Sequence, residues 1–387
     1  MRLVTTTQTQ TYPVGLNAQL LSSEAGFRSA GINGYIRGLL AALPEADDRF
    51  KYTVFTGPVP APTMNGNSRI VQTGNSTRNP IGRILWEQLA QPIAAEKLAL
   101  LHGLAFVVPM LRSVPGVVTI YDLSFIRRPG RLTRSRRAYL SLFTRLSVGQ
   151  ARRVLAISES TKRDLMEVYG LPADKIDIAY PGLTPGFGRP SAEEIVSFRE
   201  RLGLPERFIL YVGTIEPRKN LSGLVRAFAK AKLEGVKLIC VGGRGWFYED
   251  VFQTVEELHL TRDVIFPGYV PTEELPLWYS AASAFAYPSS YEGFGIPVIE
   301  ALACGVPTVT TNTSSLPEAA GDAAMLVPPD DDDALAASLA QLLNPHNLLA
   351  QTLSAKGPAQ AAQFTWQAAA QATTRCYAQA LNLPRKQ

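Results

Sequence analysis

Cysteine and histidine are scarce in this chain, with three of each in 387 residues. Cys240, Cys304 and Cys376 stand far apart in apolar or helical contexts. That spacing excludes a disulfide framework and points to a reducing, cytoplasmic setting. His102, His259 and His346 are too scattered to form a metal-ligand set. Long hydrophobic runs are also missing, so no bilayer-spanning segment is expected. The opening residues, MRLVTTTQTQTYP, hold one arginine and a polar tract without an apolar h-region, so no signal peptide is expected. Charge is sparse at 18%, and the net charge of +5 is modest. Nucleic acid is not an expected partner, because no aromatics interleave the cations.

What is present is length and alternation. A chain of 387 residues, 46% of them hydrophobic, exceeds one ordinary core and predicts two domains. Val14 to Leu21 reads as the first strand. A flexible loop from Ser22 to Gly34 follows, then a helix from Tyr35 to Leu43 ended by Pro44. Further strands are expected at 52–56, 70–73, 98–102, 117–121, 154–157 and 176–179. Helices are expected at 84–98, 133–148 and 159–169. The Pro- and Gly-rich run Tyr180 to Pro190 reads as a linker. Beyond it strands at 208–212, 237–241, 264–266, 284–287, 308–310 and 325–327 alternate with helices, and a last apolar helix runs from Trp366 to Leu381. Two alternating βα halves imply an α/β protein of two doubly wound domains facing a cleft.

The stretch Tyr287 to Pro307 carries the densest chemistry. A strand ends at Pro288, a Gly293-Phe294-Gly295 loop follows, and a helix starts near Ile296. A glycine loop feeding a helix N-terminus suits an anion, because unpaired N–H groups and the helix dipole face it. Glu292 and Glu300 bracket this loop and are placed to accept hydrogen bonds from hydroxyls. The loop Gly213 to Asn220 puts Arg218 and Lys219 at another helix N-terminus, where the dipole disfavours them, so a phosphate is their natural partner. Gly31 and Gly34 form a weaker phosphate signal in the first half. His102, Tyr121 and Asp122 sit at expected strand ends, where functional groups of open sheets collect. The Asp330 to Asp333 run reads as a helix cap rather than a metal site, so no metal is expected. Six arginines lie between Arg127 and Arg137; a solvated face is the plainer reading, and an anionic lipid surface or phosphorylated acceptor the sharper one.

Glu292 to Glu300 resembles the Glu-x7-Glu motif of the retaining family 4 glycosyltransferases (glycosyl transferases group 1), which have the GT-B fold. The resemblance extends over Gly31-x-x-Gly34, His102-Gly103, Asp122, Ser158-Glu159, 213–220, 242–246, 268–270, 287–307 and 315–318, and is strongest toward bacterial mannosyltransferase-like members. It implies two Rossmann-like domains, 1–182 on the acceptor side and 183–365 binding the nucleotide sugar, with 366–387 crossing back as a helix. It also implies metal-independent transfer of a hexose, mannose or glucose, from a GDP- or UDP-linked donor to a sugar or lipid-linked acceptor in polysaccharide or glycolipid synthesis. Arg218 and Lys219 would hold the diphosphate, Glu292 the sugar, and Glu300 the ribose. The backbone at Val270 would meet the base. The loop Gly293, Phe294, Gly295 and Ile296, with Gly213, Gly31 and Gly34, would approach sugar and phosphate. Relatives commonly read His-Asp where this chain reads Tyr121-Asp122, so either Tyr121 or His102 would take the part of that histidine. A nucleotide-sugar epimerase and a non-catalytic sugar-nucleotide-binding subunit are the rival readings; turnover without an acceptor, or binding without transfer, would mark them.

Overall fold

The computed structural model describes residues 10–21, 30–59, 64, 66, 68–128, 134–344 and 346–384. Two all-parallel sheets organise it. The first has strands β1 (Tyr12–Ala18), β2 (Phe50–Thr56), β3 (Ser68–Gln72), β4 (Leu100–Gly103), β5 (Gly116–Ile120), β6 (Arg153–Ala156) and β7 (Ile176–Ile178), in the order 3-2-1-4-5-6-7. The second has β8 (Arg207–Val212), β9 (Val236–Val241), β10 (Val264–Gly268), β11 (Ala284–Tyr287), β12 (Thr308–Thr311) and β13 (Met325–Val327), in the order 10-9-8-11-12-13. Central strands such as β4, β5 and β11 are buried along their whole length, as helices on both faces require. Each sheet reverses its winding between two neighbours, β1/β4 and β8/β11, and a crevice opens at such a switch point beside the carboxyl ends of the strands.

Three sequence expectations are corrected here. The first helix is longer than expected, Ala30–Ala46, and holds both Gly31 and Gly34; residues 22–29 of the expected loop lie outside the described residues. Pro44 does not end it, because an N–H lost that close to the terminus removes one bond while Ile36, Leu39, Leu40 and Leu43 keep the inner face buried. The helix expected at 84–98 starts at Pro80, where Asn79 caps it by accepting from the Gly82 N–H at 2.7 Å. It widens into a π turn at Trp86–Ala90 and stops at Ala94. The π bond from the Gln91 N–H to the Trp86 carbonyl shifts the ladder just ahead of Pro92, which has no N–H to give. A helix at Leu348–Ala361 was not expected at all.

The chain passes between the sheets twice, and the passages touch. The Leu183 N–H donates to the Phe364 carbonyl at 2.9 Å, and a Cβ on Gly182 would lie 2.2 Å from the Trp366 nitrogen. The helix Trp366–Ala380 then packs on Ala30–Ala46. Gly38 permits the approach, since a Cβ there would lie 2.1 Å from the Trp366 ring.

Candidate active site

The β8/β11 switch point brings two loops of the second sheet together. After β8 the chain turns at Gly213, makes a 3-10 turn at Pro217–Lys219, and enters helix Leu221–Ala231 through Asn220. Asn220 has φ near +52° and accepts from the Gly223 N–H, so the turn aims Arg218 and Lys219 toward β11. From β11 comes Glu292, buried against both cations. Its Oε1 accepts from Lys219 Nζ at 2.7 Å, Ser289 Oγ at 2.6 Å and Tyr287 Oη at 3.1 Å. Its Oε2 accepts from Arg218 Nη1 at 2.5 Å. Arg218 Nε also donates to Glu216 Oε1 at 2.9 Å.

Burial works against every charge in this cluster. For Glu292 it is outweighed by Arg218 and Lys219 and by hydrogen bonds from Lys219 and Ser289, which pull the carboxyl down to about 2. Burial also opposes the Arg218 cation, and Glu292 and Glu216 more than offset it, so its pKa rises. Lys219 goes the other way: burial and the neighbouring Arg218 lower it, though Glu292 and Glu216 resist. The cluster is thus two cations held by two buried carboxylates. Lys219 and Arg218 are not waiting bare for an anion, as their placement in sequence implies. Glu216 balances them, since a buried charge without a partner costs several kcal/mol.

Beyond Glu292 the Gly293-Phe294-Gly295 loop enters helix Ile296–Ala303 with no side-chain cap at Gly295. Gly295 has φ near +107°, a conformation glycine accepts at little cost. Just over one turn along, Glu300 is buried, and burial pushes its carboxyl up to about 7 despite a hydrogen bond from Tyr279 Oη at 2.9 Å. Gly242 N–H donates to the Gly268 carbonyl at 2.8 Å, which ties the β9 loop to the one carrying half-buried Val270.

The first sheet supplies the opposite wall, and here two expected residues withdraw. His102 is fully buried in β4. Its Nδ1 lies 2.7 Å from Tyr377 Oη and its Nε2 2.8 Å from Thr119 Oγ1. Burial lowers its pKa to about 3. Both ring nitrogens are spent inside the core, so His102 does not face the cleft. Tyr121 turns its ring inward against Tyr35 and Phe106, and its hydroxyl donates to the Leu104 carbonyl at 2.8 Å. Neither side chain reaches the cleft to replace the histidine of the resembling family. Asp122 does lie at the strand end, half-buried, and accepts from the Ser124 N–H at 2.8 Å. Gly31 and Gly34 are exposed in the first turns of their helix, with no atom within 4 Å of a built Cβ.

The two walls meet through side chains that sequence reasoning assigned no role. Tyr291 Oη donates to Asp164 Oδ2 at 2.6 Å and accepts from the Leu123 N–H at 3.2 Å. Glu318 accepts from the N–H groups of Glu159 and Ser160, both at 2.7 Å. It thereby caps helix Glu159–Tyr169 of the other half, beside that helix's own Ser158 cap. A Cβ on Gly293 would lie 2.3 Å from the Tyr121 carbonyl oxygen.

Comparison with known proteins adds what geometry alone leaves open. Residues 193–357 match the model described as Glycosyl transferases group 1, and residues 29–187 match Glycosyltransferase Family 4. The chain is 30% identical over 368 residues to O-antigen chain mannosyltransferase B of Escherichia coli, covering 90% of this chain and 95% of that one. It belongs to the family 4 glycosyltransferases. It is also 34% identical over 248 residues to a D-inositol 3-phosphate glycosyltransferase of Thermobispora bispora, covering 60% of this chain and 57% of that protein. Among solved structures, sucrose-phosphate synthase from Thermosynechococcus elongatus superposes with a TM-score of 0.75 at 24% identity, over 95% of this chain and 98% of that one. Anabaena Alr3699/HepE in complex with UDP and glucose gives 0.71 at 18%, over 95% and 100%.

The two sheets and these neighbours make this glycosyltransferase a GT-B protein, as its sequence implied. The signals for its overlooked residues were present but unweighted. Glu216 stands two positions before Arg218, and Tyr291 directly precedes Glu292. Glu318 belongs to the Ser315-Leu316-Pro317-Glu318 motif, yet only the fold shows that it reaches across the cleft.

Proposed function

We propose that this glycosyltransferase moves a hexose, with mannose favoured over glucose, from a GDP- or UDP-linked donor to a hydroxyl of a sugar or lipid-linked acceptor, without a metal and with retention. The buried Arg218–Lys219–Glu292 cluster at the β8/β11 switch point is the observation that carries it. The name of the Escherichia coli relative supports mannose and a cell-surface polysaccharide. An arriving diphosphate competes with Glu292 for Arg218, whose fork matches phosphate oxygens. Glu292 Oε1 already has three donors, whereas Oε2 has Arg218; as Arg218 turns to phosphate, Oε2 becomes free for a sugar hydroxyl. The acceptor attacks from the face the diphosphate leaves, and a leaving-group oxygen takes the acceptor proton. Arg218 and Lys219 then stabilise charge that grows in the transition state.

Incubation with a panel of nucleotide sugars and a mannose-terminated acceptor tests this. Product with the donor's anomeric configuration, formed equally well with EDTA present, is the expected result. An inverted product or loss of turnover in EDTA would overturn it.

Glu300 gives the reading a pH signature. Ribose hydroxyls donate to its ionised form, and the free carboxyl titrates at about 7. Nucleotide affinity is therefore expected to hold above that pH and to fall below it, by up to about tenfold per unit. Calorimetric titration with GDP and UDP across neutrality checks the slope, and Glu300→Gln should flatten it. An unchanged slope in that variant would remove Glu300 from the ribose.

A further inference from the structure

Several cations of the first half are matched by acids: Arg49 by Asp47, Arg127 by Asp164 and Glu167, and Arg153 by Asp177. Arg112, Arg152 and Lys175 are not. They converge on one open cavity of about 870 Å³, and no Asp or Glu lines it among the described residues. The cavity lies on the edge of the first sheet away from the cleft. Arg112 leads into β5, Arg152 directly precedes β6, and Lys175 directly precedes β7. The three cations therefore stand at the amino ends of the strands, whereas the cleft lies at the carboxyl ends. Two helix ends complete the wall: Gln150 closes helix Arg134–Gln150, and Leu381 and Asn382 follow helix Trp366–Ala380.

Neutral groups hold each cation. Arg112 donates from Nη1 to the Pro109 carbonyl at 2.8 Å and from Nη2 to the Gln150 carbonyl at 2.6 Å. Lys175 Nζ donates to the Gly149 carbonyl at 2.8 Å, and Arg152 Nη2 to Asn382 Oδ1 at 3.5 Å. The Gly149 and Gln150 carbonyls form the end of a helix, which carries about half a negative charge. That offsets little of three positive side chains. Burial lowers the pKa of Arg112 and Lys175 alike, and the neighbouring Arg112 adds to the effect on Lys175. Gly116 leaves room for the guanidinium, since a Cβ there would lie 2.5 Å from Arg112 Nε.

We propose that this cavity is a second small-molecule site, separate from the cleft, and that it takes a phosphorylated sugar. A phosphate monoester carries nearly two negative charges at neutral pH, which supplies the charge that the cavity lacks. Arg112 and Arg152 offer forks to its oxygens, and Lys175 a point charge. The volume falls within the range of small-molecule sites, on the order of 300–1,000 Å³, and leaves space beyond a phosphate. Ser113, Gln150 and Asn382 line that space with uncharged donors and acceptors suited to hydroxyls. Because Leu381 and Asn382 belong to the wall, a bound ligand ties the end of the crossing helix to the first sheet. The site does not depend on the donor or the reaction.

Calorimetric titration of the full chain with mannose 6-phosphate, inorganic phosphate and mannose tests it. Mannose 6-phosphate is expected to bind more tightly than inorganic phosphate, and mannose not at all. Arg152→Gln alters an exposed side chain, so thermal unfolding without ligand should not change. It should weaken mannose 6-phosphate by about tenfold or more, as the loss of one hydrogen bond to a charged group implies. Arg152→Gln/Lys175→Gln should weaken it further, whereas Arg218→Ala, altered only in the cleft, should bind it as the unaltered chain does. No binding by the unaltered chain would overturn the proposal. So would equal affinity for inorganic phosphate, undiminished binding by the double variant, or binding lost in Arg218→Ala.

Discussion

Arg218→Ala is expected to lower the rate of transfer at saturating donor by about a hundred- to a thousandfold, the usual consequence of removing one preorganised charge from a site of developing negative charge. The fold should survive, because Glu292 keeps Lys219, Ser289 and Tyr287 as donors. Lys219→Ala should reduce the rate similarly but cost more stability. Lys219 is the more deeply enclosed cation, and its ammonium lies 4.9 Å from the centre of the Tyr287 ring. Arg218→Lys should recover only part of the activity, since a point charge cannot reproduce the fork. Single-turnover kinetics and thermal unfolding on the same samples separate the two effects. Near-normal turnover in both alanine variants would dismiss the diphosphate assignment.

Gly293→Ala is the second large effect. The added methyl would lie 2.3 Å from the Tyr121 carbonyl oxygen and 3.3 Å from Ile157 Cδ1. The nearer neighbour is backbone and cannot rotate aside, so the two walls must part. Reacting groups displaced by an ångström lose about a hundredfold, and a fall of that order in kcat/KM is expected. Nucleotide binding should change little, because Arg218, Lys219 and Glu300 belong to one wall. Small-angle scattering should show a larger radius of gyration. Full activity in this variant would mean that the contact at Tyr121 is not used during turnover.

Much of this was legible in the chain. Strands such as Ala284–Tyr287 and helices such as Glu159–Tyr169 appear where periodicity and turn residues put them. The loops that hold Arg218, Lys219 and Glu292 were equally plain, because glycine and proline mark them. Two kinds of fact stayed hidden. Side-chain direction did: His102 and Tyr121 occupy strand ends, yet the pleat and the packing of Tyr377, Tyr35 and Phe106 turn them into the core. Long-range pairing did too, since nothing local tells Glu318 to reach a helix some 158 residues earlier. The segment 80–94 adds a third kind: a helix is expected there, but only burial shows that Ile81, Leu85, Leu89 and Ile93 face out.

The aromatic knot where the chain crosses between its halves has a mechanical meaning. Phe294 offers its amide to the glycine loop, but its ring packs 5.0 Å from Phe364 and 5.6 Å from Tyr180, which flank the two crossings. Because those crossings touch, both bear on one point beside the loop, and Phe294 joins that point to the loop backbone. A change in the loop's backbone therefore acts directly on the aromatic packing that holds the two crossings together.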